Sequence, residues 1–226
     1  VDDLNEEMES FEKEFMNILK LSDASQENIL SSAERILKKG GVIIGPSDTV
    51  YGIYCDATNE KAVKKIFKIK RRVPEKALPI FVKDIATARK FAYIDDRKAR
   101  FLEKIWPGAV TAVFHHKGKL PKILTGELQT IGIRIPDHPL LLELLGRLDL
   151  PLAQSSANLS GRSPISAVSE TGDERLPETK LIELGIDGGE IPKQPSTVVD
   201  FSGSEPIVLR SGILTKKELD QMLGQE

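Results

Sequence analysis

The alternation of apolar and polar positions predicts a chain in which strands and helices follow one another. Short apolar runs, typical of buried strands, occur near residues 42–44, 78–82, 109–114, 130–135, 151–154, 181–184, 196–200 and 207–210. Stretches with one apolar face predict helices over residues 23–39, 59–70, 84–92, 97–105 and 139–147, and from about 215. This alternation predicts an α/β or mixed α+β fold, because crossover helices then cover the faces of a sheet.

The first residues have a pattern of their own. Leu4, Met8, Phe11, Phe15 and Ile18 recur at spacings of four and three, and residues 1–14 carry seven acidic side chains and one basic one. We therefore predict that residues 1–22 form an acidic, amphipathic, helical N-terminal extension that packs on the outside or joins two chains. The main globular domain is expected to span residues 23–226.

The composition suits a water-soluble globular protein, with 40% hydrophobic and 29% charged residues in 226. No run approaches the roughly 20 apolar residues of a membrane helix, and the acidic start does not resemble a signal peptide. The single cysteine, Cys55, cannot form an internal disulfide, and no Cys/His spacing predicts a metal site. We expect a cytoplasmic protein with no membrane partner and no protein-bound metal.

A basic block interrupts a nearly neutral chain. Residues 61–76 carry eight basic side chains and one acidic one, which indicates a local anionic partner. The lysines at 61, 64, 65 and 68 flank an apolar helix face and are expected to face solvent. Lys70, Arg71, Arg72 and Lys76 follow at the helix end, where such a cluster of cations favours phosphate.

Other polar segments are weak signals when taken singly. Ser156-Ala157-Asn158 follows an apolar run and favours a polar pocket wall at a strand end. Taken alone, three further segments are typical of turns or paired strands, at residues 46–52, 196–200 and 210–212. The sequence has no GxxxxGK[ST], GxGxxG, GxSxG or HExxH, and its three histidines lie in or beside loop-like segments. An enzyme built this way would act by positioning substrates and stabilising charge.

Seven short motifs, in order, resemble the YrdC/TsaC family of threonylcarbamoyl-AMP synthases. They are PSDTVYG at 46–52, KRR at 70–72, WPG at 106–108, GIRIP at 132–136, SANLSG at 156–161, STVVD at 196–200 and RSG at 210–212. The resemblance covers about residues 25–214 and implies a twisted mixed sheet with helices on its faces and a basic concave site. It also implies synthesis of threonylcarbamoyl-AMP from L-threonine, bicarbonate and ATP, with Mg accompanying the nucleotide. Other proteins would then use the product in tRNA modification.

The resemblance also assigns roles to single residues. The positions matching ATP contacts are Lys70, Arg72, Lys76, Thr130, Ser156, Asn158 and Arg210, and Lys70 and Arg72 are expected to be catalytic because they meet the developing phosphate charge. The positions matching threonine contacts are Thr49, Arg134 and Ser196, with Arg134 placed to pair with the substrate carboxylate. The sequence departs from the family at Phe81, where some members have a threonine-contacting histidine, and at Gln154, where a small residue is common.

Two alternatives remain open from the sequence. The basic block is also compatible with an RNA-binding module without catalysis, although aromatic residues are only 5% of the chain. A carbamoyl-transferring accessory unit, as in hydrogenase maturation proteins, is disfavoured by the single Cys55, since those longer chains carry zinc-finger-like cysteines.

Overall fold

The computed structural model describes residues 16–223 except 74, 75, 173–175, 177, 192 and 193. Its strands are β1 (Asn17–Lys20), β2 (Ile43–Gly45), β3 (Gly52–Asp56), β4 (Ile80–Phe81), β5 (Val110–His115), β6 (Thr130–Arg134), β7 (Leu152–Ser156), β8 (Leu184–Asp187), β9 (Thr197–Asp200) and β10 (Ile207–Arg210). Its α-helices are α1 (Gln26–Lys38), α2 (Glu60–Lys70), α3 (Ile85–Phe91), α4 (Asp96–Ile105), α5 (Lys122–Thr125), α6 (Pro139–Leu148) and α7 (Lys216–Leu223). Two short 3₁₀ turns lie at Val168–Glu170 and Thr179–Leu181.

All ten strands form one mixed sheet in the order β1-β8-β2-β3-β7-β4-β6-β5-β9-β10. The pairs β1/β8, β8/β2, β4/β6 and β5/β9 are parallel, and the other neighbours are antiparallel. The mixed α/β fold expected from the sequence is therefore confirmed.

One face of the sheet is covered by the larger of two hydrophobic clusters. Strand residues such as Ile53, Ala112 and Ile133 meet helix residues such as Ile66 and Leu102 there, all fully buried. Because side chains alternate along a strand, their neighbours in sequence must face the other side.

The opposite face is covered over only part of its width. Helices α1 and α6 pack there on β2, β3, β4, β7 and β8, through a second cluster that includes Leu37, Tyr54, Phe81, Leu144 and Leu152. Strands β5, β6, β9 and β10 extend past this pair of helices. Their second set of side chains forms the floor of an open depression instead of a core.

The observed elements differ from the predicted ones mainly at their ends. Helix α1 begins at Gln26, because the side chain of Ser25 accepts from the Asn28 N–H, and not at Asp23. The strand expected over 181–184 is displaced towards the C-terminus and forms β8 at Leu184–Asp187.

The helical extension expected over residues 1–22 is wrong at its C-terminal end. Residues 17–20 form strand β1, which hydrogen-bonds in parallel to β8 and leaves Ile18 45% exposed. Backbone pairing at the sheet edge therefore overrides the helical spacing there. Residues 1–15 lie outside the described residues, and so does the part of the prediction that concerns them.

No helix in the described part of the chain is long and apolar enough to cross a membrane.

The two helices on the half-covered face should contribute strongly to stability. Leu144 of α6 is fully buried, so Leu144→Ala should lower the free energy of unfolding by about 2–5 kcal/mol through lost contacts and a cavity. Urea denaturation would measure the change. Ile207→Ala is the control, because Ile207 is 61% exposed and should change stability by less than about 0.5 kcal/mol. Equal effects of the two substitutions would contradict this account of the core.

Candidate active site

A cavity of about 510 Å³ lies over the uncovered half of the sheet. Among the described residues, its lining includes four arginines and no aspartate or glutamate, so the concave site is basic. Eight of the ten site residues predicted from the sequence line it: Thr49, Arg72, Thr130, Arg134, Ser156, Asn158, Ser196 and Arg210. The fold thus brings together segments that are far apart in the chain.

Lys70 and Lys76 do not line the cavity. Lys70 is 1% exposed, and its ammonium donates to the Ser156 carbonyl, to the Asn158 carbonyl at 2.7 Å and to Asn158 Oδ1 at 2.9 Å. Lys76 is exposed, and its carbonyl accepts a hydrogen bond from Arg72 Nε at 2.8 Å. Lys70 therefore lies behind the 156–158 turn, supporting it from the core.

The end of α2 explains why Lys70 and Arg72 point in different directions. Asn59 caps the start of the helix, and Arg71 ends it in the left-handed region with φ 46°. This reversal leaves Lys70 on the buried side and carries Arg72 to the cavity edge. There the guanidinium of Arg72 also donates to the Ala77 carbonyl at 2.7 Å, which fixes its position.

The turn at 156–158 is shaped by its own polar groups. Ser156 Oγ donates to Asn158 Oδ1 at 2.6 Å, and Asn158 Nδ2 donates to the carbonyls of Leu159, at 2.8 Å, and Arg162. The Ala157 N–H donates to the Tyr51 carbonyl at 2.8 Å, which ties the turn to the start of β3. Hydroxyl and amide groups thus border the cavity in a fixed arrangement.

Arg134 is the most constrained cation of the site. Its side chain is 3% exposed, and Nη2 lies 2.6 Å from Asp48 Oδ2. Nε donates to the Gly108 carbonyl at 2.8 Å and Nη1 donates to Thr49 Oγ1 at 3.0 Å. Burial lowers the pKa of Arg134, while Asp48 opposes that shift. Each guanidinium nitrogen therefore has a protein oxygen within 3.0 Å, but these contacts involve at most three of its five N–H donors, and Nη2 makes no hydrogen bond to a described residue. The expected pairing with a substrate carboxylate stays a prediction.

Hydroxyl groups line two sides of the same end of the cavity. On one side, Thr49 Oγ1 lies 3.1 Å from Ser47 Oγ. On the other, Ser196 Oγ lies 3.0 Å from Thr111 Oγ1, and Arg210 Nη2 donates to the Ser196 carbonyl at 2.9 Å. Burial lowers the pKa of Arg210.

The two departures from the family pattern lie in different surroundings. Phe81 is 1% exposed in the second cluster, with its ring centre 5.5 Å from the Arg134 guanidinium carbon, and it does not line the cavity. Gln154 does line the cavity, on the same face of β7 as Ser156.

Sequence reasoning missed Asp48, Thr111 and Gly132. Thr111 and Gly132 alternate with core residues along β5 and β6, so strand periodicity could have placed them on the cavity face. A Cβ on Gly132 would lie 3.1 Å from the Thr111 methyl carbon, so glycine allows close approach there. The role of Asp48 depends on a contact with Arg134 that no local pattern reveals.

Comparisons with known proteins match most of this chain. A family model described as "Telomere recombination", covering Sua5, YciO and YrdC proteins, matches residues 35–212. A Methanocaldococcus jannaschii protein named as a putative threonylcarbamoyl-AMP synthase is 34% identical over 205 residues, covering 90% of this chain and 95% of that protein.

Two solved structures share the fold. Sua5 from P. abyssi, solved in complex with L-threonine, superposes with a TM-score of 0.83 at 30% identity, covering 93% of this chain and 61% of that one. YciO from E. coli superposes with a TM-score of 0.79 at 26% identity, covering 91% of this chain and 98% of that one. The chain thus spans about three fifths of the P. abyssi protein and nearly all of YciO.

The buried ion pair should be costly to break on one side. Asp48→Asn leaves the Arg134 charge without its counter-ion and should lower the free energy of unfolding by about 3–5 kcal/mol. Adding Arg134→Met should restore part of that loss, since no unpaired charge remains. The matched control is Asp149→Asn in the exposed pair with Lys83, which should cost less than about 1 kcal/mol. Urea denaturation would be measured for these three variants and for Arg134→Met alone. A double variant that lost the sum of the Asp48→Asn and Arg134→Met losses would contradict the pair's role.

The buried lysine predicts a pH dependence of stability. Burial, and then the charge of Arg72, lower the pKa of Lys70 from 10.5 to about 7. Between these values the unfolded chain holds a proton that the folded chain lacks, so the free energy of unfolding should rise with pH across this window. Denaturation at pH 7, 8 and 9 should show this rise, and Lys70→Met should flatten it. Lys61→Met, at an exposed position of the same helix, should keep the parent slope. Equal slopes in all three proteins would contradict the assignment.

Proposed function

Because the chain belongs to the Sua5/YciO/YrdC family, we propose that it is a threonylcarbamoyl-AMP synthase. The reaction joins L-threonine, bicarbonate and ATP into threonylcarbamoyl-AMP and pyrophosphate. The observation that carries this proposal is the single basic cavity lined by residues from the 46–52, 70–72, 132–136, 156–161, 196–200 and 210–212 motifs. The name of the M. jannaschii relative and the threonine complex of P. abyssi Sua5 support the same activity.

The chemistry consists of two bond-forming steps. The neutral threonine amine forms a bond to the bicarbonate carbon and water leaves, which gives a carbamate. A carbamate oxygen then attacks the α-phosphorus of ATP, and the bond to the β,γ-pyrophosphate breaks. Negative charge grows on the phosphoryl oxygens and on the leaving group, so fixed cations at the cavity wall lower the barrier. Since carbamates hydrolyse readily, a cavity that limits water also protects the intermediate.

Arg72 and Arg210 are the cations best placed for this charge. Both line the cavity, and neither has a carboxylate partner among the described residues. Ser156 and Asn158 would add directed hydrogen bonds to phosphate oxygens, and Thr130 lines the same cavity. Lys70 would act through the 156–158 turn that its ammonium holds, whereas exposed Lys76 would have to move to reach a phosphate.

Magnesium would enter as the ATP complex, because Mg²⁺ is commonly bound through substrate phosphates and few protein ligands. The described residues contain no group of three or more histidine, cysteine, aspartate or glutamate side chains suited to a metal. The phosphate oxygens would therefore supply most of its coordination.

The threonine end of the cavity would be formed by Thr49 and Ser196. Arg134 would fix Thr49 there, and its remaining N–H donors would be open to the threonine carboxylate. Product use by other tRNA-modification proteins is part of the proposal.

Direct RNA binding has limited support from the basic block. Lys64, Lys65 and Arg71 pair with Glu60, Glu183 and Glu178, which reduces the free positive charge on α2.

The activity test uses pyrophosphate release with ATP, Mg, bicarbonate and one amino acid at a time. The parent protein should release pyrophosphate only with threonine and, more weakly, with serine, which lacks one methyl group. Arg72→Ala should lower turnover roughly 100-fold or more, because a donor to developing charge is lost. Arg72→Lys should also be slow, since an ammonium cannot hold two oxygens as a fork.

Lys64→Ala is the matched control, because its exposed ion pair with Glu60 lies on the solvent side of α2. Its turnover should equal that of the parent. Pyrophosphate release that does not depend on threonine would reject the proposed activity. An active Arg72→Ala variant would reject only the role given to Arg72.

A further inference from the structure

Thr111 and Ser196 share one hydrogen bond between two hydroxyl groups. Their Oγ atoms are 3.0 Å apart, the side chains are 7% and 8% exposed, and both residues line the cavity. Each hydroxyl carries one proton, so one of the two protons is left without an acceptor in this pair. Among the residues that the structure describes, no other side-chain hydrogen bond of Thr111 is present.

The position of Arg210 determines which of the two hydroxyl protons has no acceptor within the Thr111–Ser196 pair. Its Nη2 donates to the Ser196 carbonyl at 2.9 Å and lies 3.4 Å from Ser196 Oγ. A guanidinium only donates, so it favours Ser196 Oγ as an acceptor and turns the serine proton towards Thr111. The Thr111 proton is then free to point into the cavity.

The hydroxyl pair on the other side of the site differs in the charge beside it. Ser47 Oγ donates to the Val50 carbonyl at 2.6 Å and accepts from the Thr49 and Val50 N–H groups at 3.1 and 3.2 Å. Thr49 Oγ1 accepts from Arg134, whose charge is neutralised by Asp48. The Thr111–Ser196 pair instead lies beside Arg210, so the spare donor of Thr111 is the one next to an unpaired cation.

Charge at this end of the cavity favours an anionic acceptor. Thr111 pairs across the sheet with Val198, which pairs in turn with Arg210, so the three residues form one row. Arg210 has no carboxylate partner in the described part of the chain, whereas Arg134 is neutralised by Asp48. A carboxylate accepts hydrogen bonds only, and it gains from a donor beside an unpaired cation.

We propose that Thr111 is a further substrate-contacting residue, whose hydroxyl donates a hydrogen bond to a carboxylate oxygen of the amino-acid substrate. The inference rests on the proposed function. The Thr111 contact adds to the carboxylate pairing that the sequence assigned to Arg134.

The test compares Thr111→Val, which keeps the shape but removes the hydroxyl, with Thr111→Ser, which keeps the hydroxyl. In the pyrophosphate assay, Thr111→Val should raise the KM for threonine roughly tenfold, the scale of a lost hydrogen bond to a charged group. The KM for ATP should stay within about twofold, and Thr111→Ser should restore most of the affinity for threonine. Thr125→Val is the control, because Thr125 is a buried threonine outside the cavity.

Several outcomes would overturn the inference while leaving the proposed function intact. They are an unchanged KM for threonine in Thr111→Val, a rise in the KM for ATP instead, or no recovery in Thr111→Ser. If Thr111→Val fails to fold by thermal unfolding, Thr111→Ala replaces it in the same comparison with Thr111→Ser. Absence of threonine-dependent turnover in the parent protein would reject the proposed function and the inference with it.

Discussion

The buried ion pair between Arg134 and Asp48 is the contact on which the site depends. A guanidinium taken out of water is costly unless its nitrogens are paired. Here the partners come from different segments: Asp48 and Thr49 from the loop before β3, and Gly108 from the loop before β5. One residue on β6 therefore positions two other loops. The same pairing that makes the charge tolerable also makes the cavity floor rigid.

The cavity exists because one face of the sheet is only half covered. Helices α1 and α6 cover the strands on one side, and the polar-apolar alternation of β5 and β6 supplies the floor on the other. Thr111, Thr130 and Arg134 then face the opening, while Ile131 and Ile133 remain in the core. The same strand thus contributes apolar side chains to the core on one face of the sheet and polar side chains to the cavity on the other.

The sequence predicted the elements and the family well, because periodicity and motif order are local signals. It placed α3, α4, α6, β5 and β6 within about two residues. It did not show that Lys70 is buried behind the 156–158 turn or that Arg134 forms a buried ion pair with Asp48, since both facts depend on contacts between distant segments. Strand pairing at the sheet edge also overrode the helical spacing around Ile18. Residue type indicated which side chains belong to the site, and only the fold showed which of them face the cavity.

The left-handed conformation of Arg71 has a consequence for three consecutive cations. A positive φ costs a residue with a Cβ about 1–2 kcal/mol. The residue with the positive φ here is Arg71, which lies between Lys70 and Arg72, the two residues that serve the site. Arg71 is exposed and pairs with Glu178 at 3.2 Å, outside the cavity. The backbone conformation of Arg71 thus sets the angle between the buried ammonium of Lys70 and the guanidinium of Arg72 at the cavity wall. The Arg71 side chain lies outside the cavity, so its replacement should leave the cavity wall unchanged, provided that the new residue accepts the reversed backbone.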